Sequence, residues 1–275
     1  MDSKLKDQLN FYTEFKHWYI QIRKDFNFDL QKDYEARDYL SLVLFNKHEN
    51  WQLENVLNSF KERILSKQAL LVYGCGPSLE KTVDVIWRQK GISFFKNFIN
   101  LTADGASVLL REKGINVDAI FTDLDGITKN EFKYASFNIV HAHGDNIERL
   151  KFFESEIISF ENVIGTTQVE PVTNIINTGG FTDGDRIFFF LRPLLLSFHN
   201  LFLIGMDFGS IIGKYSKLEV NRNQDANTIK KKKLLYAMKL IKWLKKKIKN
   251  KIFFVNSECI SKDFENLSIE EFLNF

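Results

Sequence analysis

Seven short apolar runs, each closed by small, polar or acidic residues, restrict this chain to few folds. They span residues 69–73, 98–101, 117–121, 137–141, 162–164, 201–204 and 252–255. At three to five residues they are too short for helices, and helical patterning fills the stretches between them. Strands alternating with helices predict an α/β fold: a doubly wound, mostly parallel, Rossmann-like sheet. In such sheets ligands sit beyond the carboxyl ends of the strands, where this chain puts its Gly- and Asp-rich segments.

The segment before residue 67 reads differently. Leu9, Tyr12, Phe15, Tyr19 and Ile22 share one helical stripe. Trp51, Val56, Leu57, Phe60 and Ile64 form another after Asn50, the expected cap. Residues 1–66 are therefore expected to be a helical N-terminal region, and 67–275 a nucleotide-binding catalytic domain. A buried helix is expected over 187–198, interrupted by Arg192 and Pro193. The lysine-rich stretch from Lys230 to Lys251 carries Leu234, Leu235, Met238, Ile241, Leu244 and Ile248 at helical spacing. It reads as an amphipathic helix with a solvated basic face; a lysine at its start beside a triphosphate is the functional alternative.

Whole-chain properties exclude several classes. No apolar run approaches the roughly 20 residues of a membrane span. The charged N-terminus is unlike a secretory signal. Two cysteines, Cys75 and Cys259, make neither a disulfide framework nor a zinc site. These features predict a cytoplasmic protein with no membrane partner, and a homo-oligomer is not excluded. A net charge of +3, with only Tyr236 and Trp243 among the clustered lysines, argues against nucleic acid.

The chemistry is carried by loops. Asp104-Gly105, Asp123-Leu124-Asp125-Gly126 and Asp183-Gly184-Asp185-Arg186 each follow or adjoin apolar segments. Carboxylates gathered at strand ends repel unless a cation lies among them, and Mg²⁺ holding a nucleoside triphosphate is the simplest such cation. Asp104, Asp123 and Asp125 are the expected metal ligands; the alternative is that they cap helices and make turns. Gly74-Cys75-Gly76-Pro77-Ser78 opens a helix after a strand and is expected to cradle phosphate with backbone amides. It lacks the ending of a P-loop and the third glycine of a dinucleotide fingerprint. His141, His143 and Asp145 lack the further ligand that zinc would need, so His143 and Asn146 are expected to bond phosphate or substrate. Gly179 and Gly180 would let the backbone approach a ligand. Thr182 would cap the next helix, and Arg186 would reach a phosphate.

Taken in order, these motifs resemble the archaeal 6-hydroxymethyl-7,8-dihydropterin pyrophosphokinase family across roughly residues 70–256. The acidic elements are also similar to those of thiamine pyrophosphokinases, but Ala106, Thr122 and Gly126 depart from that pattern. A related domain occurs in bacterial motility proteins linked to flagellin glycosylation, so a sugar-nucleotide-binding role is a further alternative. The pterin resemblance implies Mg²⁺-dependent transfer of the diphosphate of ATP to the hydroxymethyl group of a reduced pterin, releasing AMP. It implies that Asp104, Asp123 and Asp125 hold Mg²⁺, and that Asp183 or Asp185 binds a second ion or accepts the hydroxyl proton. Arg186 would stabilise the transferred group. Gly74, Gly76, Ser78, Asp104, His143, Asn146, Gly179 and Gly180 would surround the nucleotide, and Asp207 would meet the pterin's amino-pyrimidine edge.

Overall fold

A computed structural model describes residues 4–275; the first three residues of the charged N-terminal stretch lie outside the described residues. Among the described residues there are eleven strands: β1 (Ala69–Tyr73), β2 (Ile99–Ala103), β3 (Ala119–Thr122), β4 (Phe137–Ala142), β5 (Val163–Thr167), β6 (Ile175–Ile176), β7 (Asn200–Ile204), β8 (Ile211–Ile212), β9 (Gln224–Asp225), β10 (Lys251–Val255) and β11 (Glu265–Leu267). Nine of them form one sheet in the order β11-β10-β7-β1-β2-β3-β4-β5-β6. Every pairing in it is parallel. β8 and β9 pair separately as an antiparallel ribbon.

The seven runs read from sequence all became strands, shifted by one to three residues at some ends. Alternation along them feeds two helical layers. Leu70 and Val72 of β1 face one buried cluster, and Leu71 and Tyr73 face the other. A strand buried on both faces has no polar side, which explains why the runs are almost wholly apolar.

The helices Tyr12–Phe26, Leu30–Phe45 and Leu53–Leu65 divide between these layers. Phe15, Val56 and Phe60 pack with the strands on one face, and Ala36, Leu40 and Leu44 on the other. The third of these helices is preceded by Gln52, without a side-chain cap, rather than by Asn50. Trp51 therefore precedes that helix instead of lying on its stripe.

The basic helix runs Thr228–Lys245, capped by the Asn227 side chain on the Lys230 amide. The most apolar helix, Asp183–Leu191, stops one residue before Arg192 instead of continuing to 198, because Pro193 cannot extend it. Among the described residues no helix is long and apolar enough to cross a membrane.

β1 lies between β2 and β7, so the chain winds outward from it in both directions. A crevice opens at the carboxyl ends of strands at such a switch point, and the acidic loops leave those ends.

Candidate functional site

Adjacent strands bring the acids together. Asp104 directly follows β2 and Asp123 directly follows β3, and the Asp104 N–H donates to the Phe121 carbonyl (2.8 Å). Oxygens of Asp104, Asp123 and Asp125 all lie within 4.8 Å of one another. Among the described residues this is the one such group of three metal-ligating side chains.

The backbone is bent to make it. Asp104 has φ of +44° and Leu124 +74°, conformations costly for residues with a Cβ, Leu124 most of all. Gly126 completes the arrangement: a Cβ there would lie 1.9 Å from the Asp104 carboxylate.

Each acid has a distinct setting. Thr122 Oγ1 donates to Asp104 Oδ1 (2.6 Å). Burial first, then Asp123, Asp183 and Asp125, push the Asp104 carboxyl well above its usual range. Burial would raise Asp123 too, but the hydrogen bond and charge of His143, with Arg186 behind, hold it well below. His143 Nε2 lies 3.2 Å from Asp123 Oδ2, and the Asp145 N–H points at Nδ1 (3.3 Å). In the neutral ring that amide leaves Nδ1 accepting, so Nε2 carries the proton toward Asp123. Asp125 is more exposed and pairs with Lys217 at 3.1 Å.

Asp183 begins its helix beside this group, and Arg186 one turn on reaches its Oδ1 at 3.2 Å. Burial, then Asp123, raises Asp183 to about 8 despite Arg186.

A cleft of about 280 Å³ holds these groups. Asp104, Asp123, Asp125, His143, Asp183, Arg186, Gly74, Gly76 and Asp207 all line it. Other expected residues do not. Asn146 is buried below, where its amide donates to the Asp123 and His141 carbonyls (2.8 and 2.7 Å) and ties the two loops. Gly179 and Gly180 have φ of +87° and +91° and pack against Phe15, Phe189 and Arg186 instead of opening to a ligand. Asp185 is fully buried, with its oxygens accepting from the Phe181 and Thr182 amides and the Thr182 hydroxyl. Its role is to cap the helix that presents Asp183. Asp185→Asn is expected to cost about 1–3 kcal/mol by turning an acceptor into a donor among donors. A thermal melt would read this as a loss of several degrees, with no matching collapse of kcat below the melt.

The glycine-rich loop differs most from expectation. The Gly74, Gly76 and Ser78 amides donate to the Ile204 carbonyl, the Gly205 carbonyl and Asp207 Oδ2 (2.9, 2.8 and 2.9 Å). They are not free to cradle phosphate. The Ser78 hydroxyl also goes to Asp207 (2.7 Å), so it does not cap the helix. These small residues serve close packing of the β1 and β7 loops: a Cβ at Gly76 would lie 2.2 Å from Asp207.

The cleft's positive charge comes largely from elsewhere, from Lys217 beyond β8 and from Lys230 and Lys233 at the start of the basic helix. Burial, then the charge of Lys230, lowers the Lys233 ammonium against the pull of Asp123. Three hard oxygen ligands, crowded carboxylates and surrounding cations suit a hydrated Mg²⁺ carrying a polyphosphate.

Residues 43–213 match the model of a family described as 6-hydroxymethylpterin diphosphokinase MptE-like. A protein of Pyrococcus furiosus named 6-hydroxymethyl-7,8-dihydropterin pyrophosphokinase is 35% identical, over 88% of this chain and 97% of its own. Proteins of the same name from Methanocaldococcus jannaschii and Methanothermobacter thermautotrophicus are 36% and 32% identical. The alignments span 86% of this chain and 96% of the first, and 83% and 93% for the second. Among solved structures, the Maf glycosyltransferase of Magnetospirillum magneticum AMB-1 aligns with a TM-score of 0.43 at 13% identity, over 86% of this chain and 39% of that protein.

Proposed function

This chain belongs to the MptE-like 6-hydroxymethylpterin diphosphokinase family, and we propose that it moves the diphosphate of ATP onto the hydroxymethyl oxygen of 6-hydroxymethyl-7,8-dihydropterin with the help of Mg²⁺. The alcohol oxygen forms a bond to the β-phosphorus. The bond from that phosphorus to the oxygen bridging it to the α-phosphorus breaks, and AMP leaves with the bridging oxygen. The observation that carries this reading is the convergence of Asp104, Asp123 and Asp125 beside three lysines and Arg186 in one cleft.

Asp104, Asp123 and Asp125 would hold the ion, which when bound neutralises phosphate charge. His143 keeps the Asp123 carboxylate ionised and turned toward the cleft. Arg186, Lys230 and Lys233 would grip the transferred phosphates, and most of the acceleration would come from this positioning and charge balance. Asp183 stands outside the trio of ligands with one oxygen on Arg186. It is the carboxylate suited to take the hydroxyl proton.

Incubating the protein with Mg²⁺–ATP and either the reduced pterin alcohol or thiamine, and counting AMP, tests the reading. AMP and a pterin diphosphate are expected in equal amounts, with no product from thiamine. AMP formed only with thiamine, or with neither alcohol, would overturn it.

A further inference from the structure

A second hollow of about 250 Å³ adjoins the cleft, between the helices Tyr12–Phe26 and Leu30–Phe45. The two cavities share Phe28 and Gln168 as a common wall. Neither reaches the roughly 300–1,000 Å³ usual for one ligand site, yet a diphosphate transfer must seat a nucleotide and an acceptor together.

The hollow is lined by aromatic rings (Tyr12, Tyr19, Phe28 and Tyr34) around one carboxylate, Asp33. Asp33 is 5% exposed. Its Oδ1 accepts from the Gly144 amide (2.8 Å) and the Gln168 amide (2.9 Å), while its Oδ2 takes no bond among the described residues. That second oxygen is not among the sealed polar atoms, so it is free to accept a further N–H.

Its position matches the reaction. Gly144 directly follows His143, whose ring touches Asp123. The acid that would bind the ring thus stands on the order of 10 Å from the acids that would bind phosphate.

Resting on the reading above, we propose that this hollow seats the fused ring of the pterin, with Asp33 accepting from its amino-pyrimidine edge. The ring stacks on the aromatic walls, and its hydroxymethyl arm passes Phe28 and Gln168 into the phosphate cleft. Asp207, expected earlier for this task, lies on the other side of the cleft, where its Oδ2 already holds the Ser78 amide and hydroxyl.

Two variants test the assignment by steady-state kinetics and by quenching of dihydropterin fluorescence on binding. Asp33→Asn removes the anionic acceptor and is expected to raise the KM for pterin about tenfold to a hundredfold, with that for ATP within about twofold. Ile20→Trp fills the hollow from its rim, where Ile20 is 52% exposed and tolerant of change, so it keeps the test sharp if Asp33→Asn folds poorly. It is expected to weaken pterin binding at least about fivefold and leave ATP binding alone. Pterin binding unchanged in Ile20→Trp, or a loss shared equally by ATP, overturns the assignment. Wild-type protein that makes no AMP with the pterin would instead remove the underlying activity, and the ring site with it.

Discussion

Asp125→Asn is expected to lower kcat about a thousandfold or more while leaving the melting temperature almost unchanged. The two halves of this result have separate causes. Losing one of the three carboxylates proposed to hold Mg²⁺ would loosen the ion that neutralises the transferred phosphates, and each tenfold in rate is about 1.4 kcal/mol of barrier. In the resting protein, however, Asp125 is 37% exposed and its partner Lys217 is 56% exposed. A solvated pair of that kind contributes at most about 1 kcal/mol. Asp123 is less clean, because its carboxylate also anchors His143. Measuring AMP release and a thermal melt on one preparation separates the terms. Retention of more than about a tenth of wild-type kcat would remove Asp125 from the phosphate-transfer machinery.

The sheet was legible because it is parallel and buried. Strands covered on both faces must be apolar throughout, so each leaves a short unbroken run, and sharp Gly or Asp turns end it. β6, with two residues, and β11, with three, fall below that signal. The β8–β9 ribbon pairs only two residues per strand, yet it brings Lys217 to the cleft. Nothing in its local pattern could have announced it.

The acids at the strand ends were readable for the same reason as the strands, since their positions follow from the topology. The glycine-rich loop was misread instead. Gly74 and Gly76 looked like phosphate-binding glycines because small residues are needed both for ligand approach and for chain-to-chain packing. Here Gly205 and Asp207 occupy the space and take the amides. Lys230 and Lys233 were submerged in a run of like residues. Only the capped start at Asn227, which aims the first turn at the sheet's carboxyl edge, sets them apart from lysines on the solvated face.

The acid cluster should also show itself without substrate, as a stability that falls with rising pH when divalent ions are chelated. Asp183 titrates near 8 in the folded protein, against about 3.9 for a free side chain. The folded state therefore holds the extra proton between roughly pH 4 and 8, and its stability declines across that window. Burial and the neighbouring acids act on Asp104 in the same direction. Asp123 runs the opposite way, and its contribution is lost only in stronger acid, outside the window. Asp33, Asp185 and Asp207, raised chiefly by burial, add slope of their own. The informative quantity is thus the difference made by the cation. With EDTA the melting temperature is expected to fall by about 6 °C or more from about pH 5 to about pH 9, on the order of 3 kcal/mol. Excess magnesium chloride should remove much of that fall, because the ion binds the ionised carboxylates of the folded state and compensates their repulsion. Asp183→Asn in EDTA should flatten the curve from the other side, raising the melting temperature most at high pH. Equal slopes with and without magnesium would mean that the crowded acids are not a cation site, and the rate loss expected of Asp125→Asn would then have no basis.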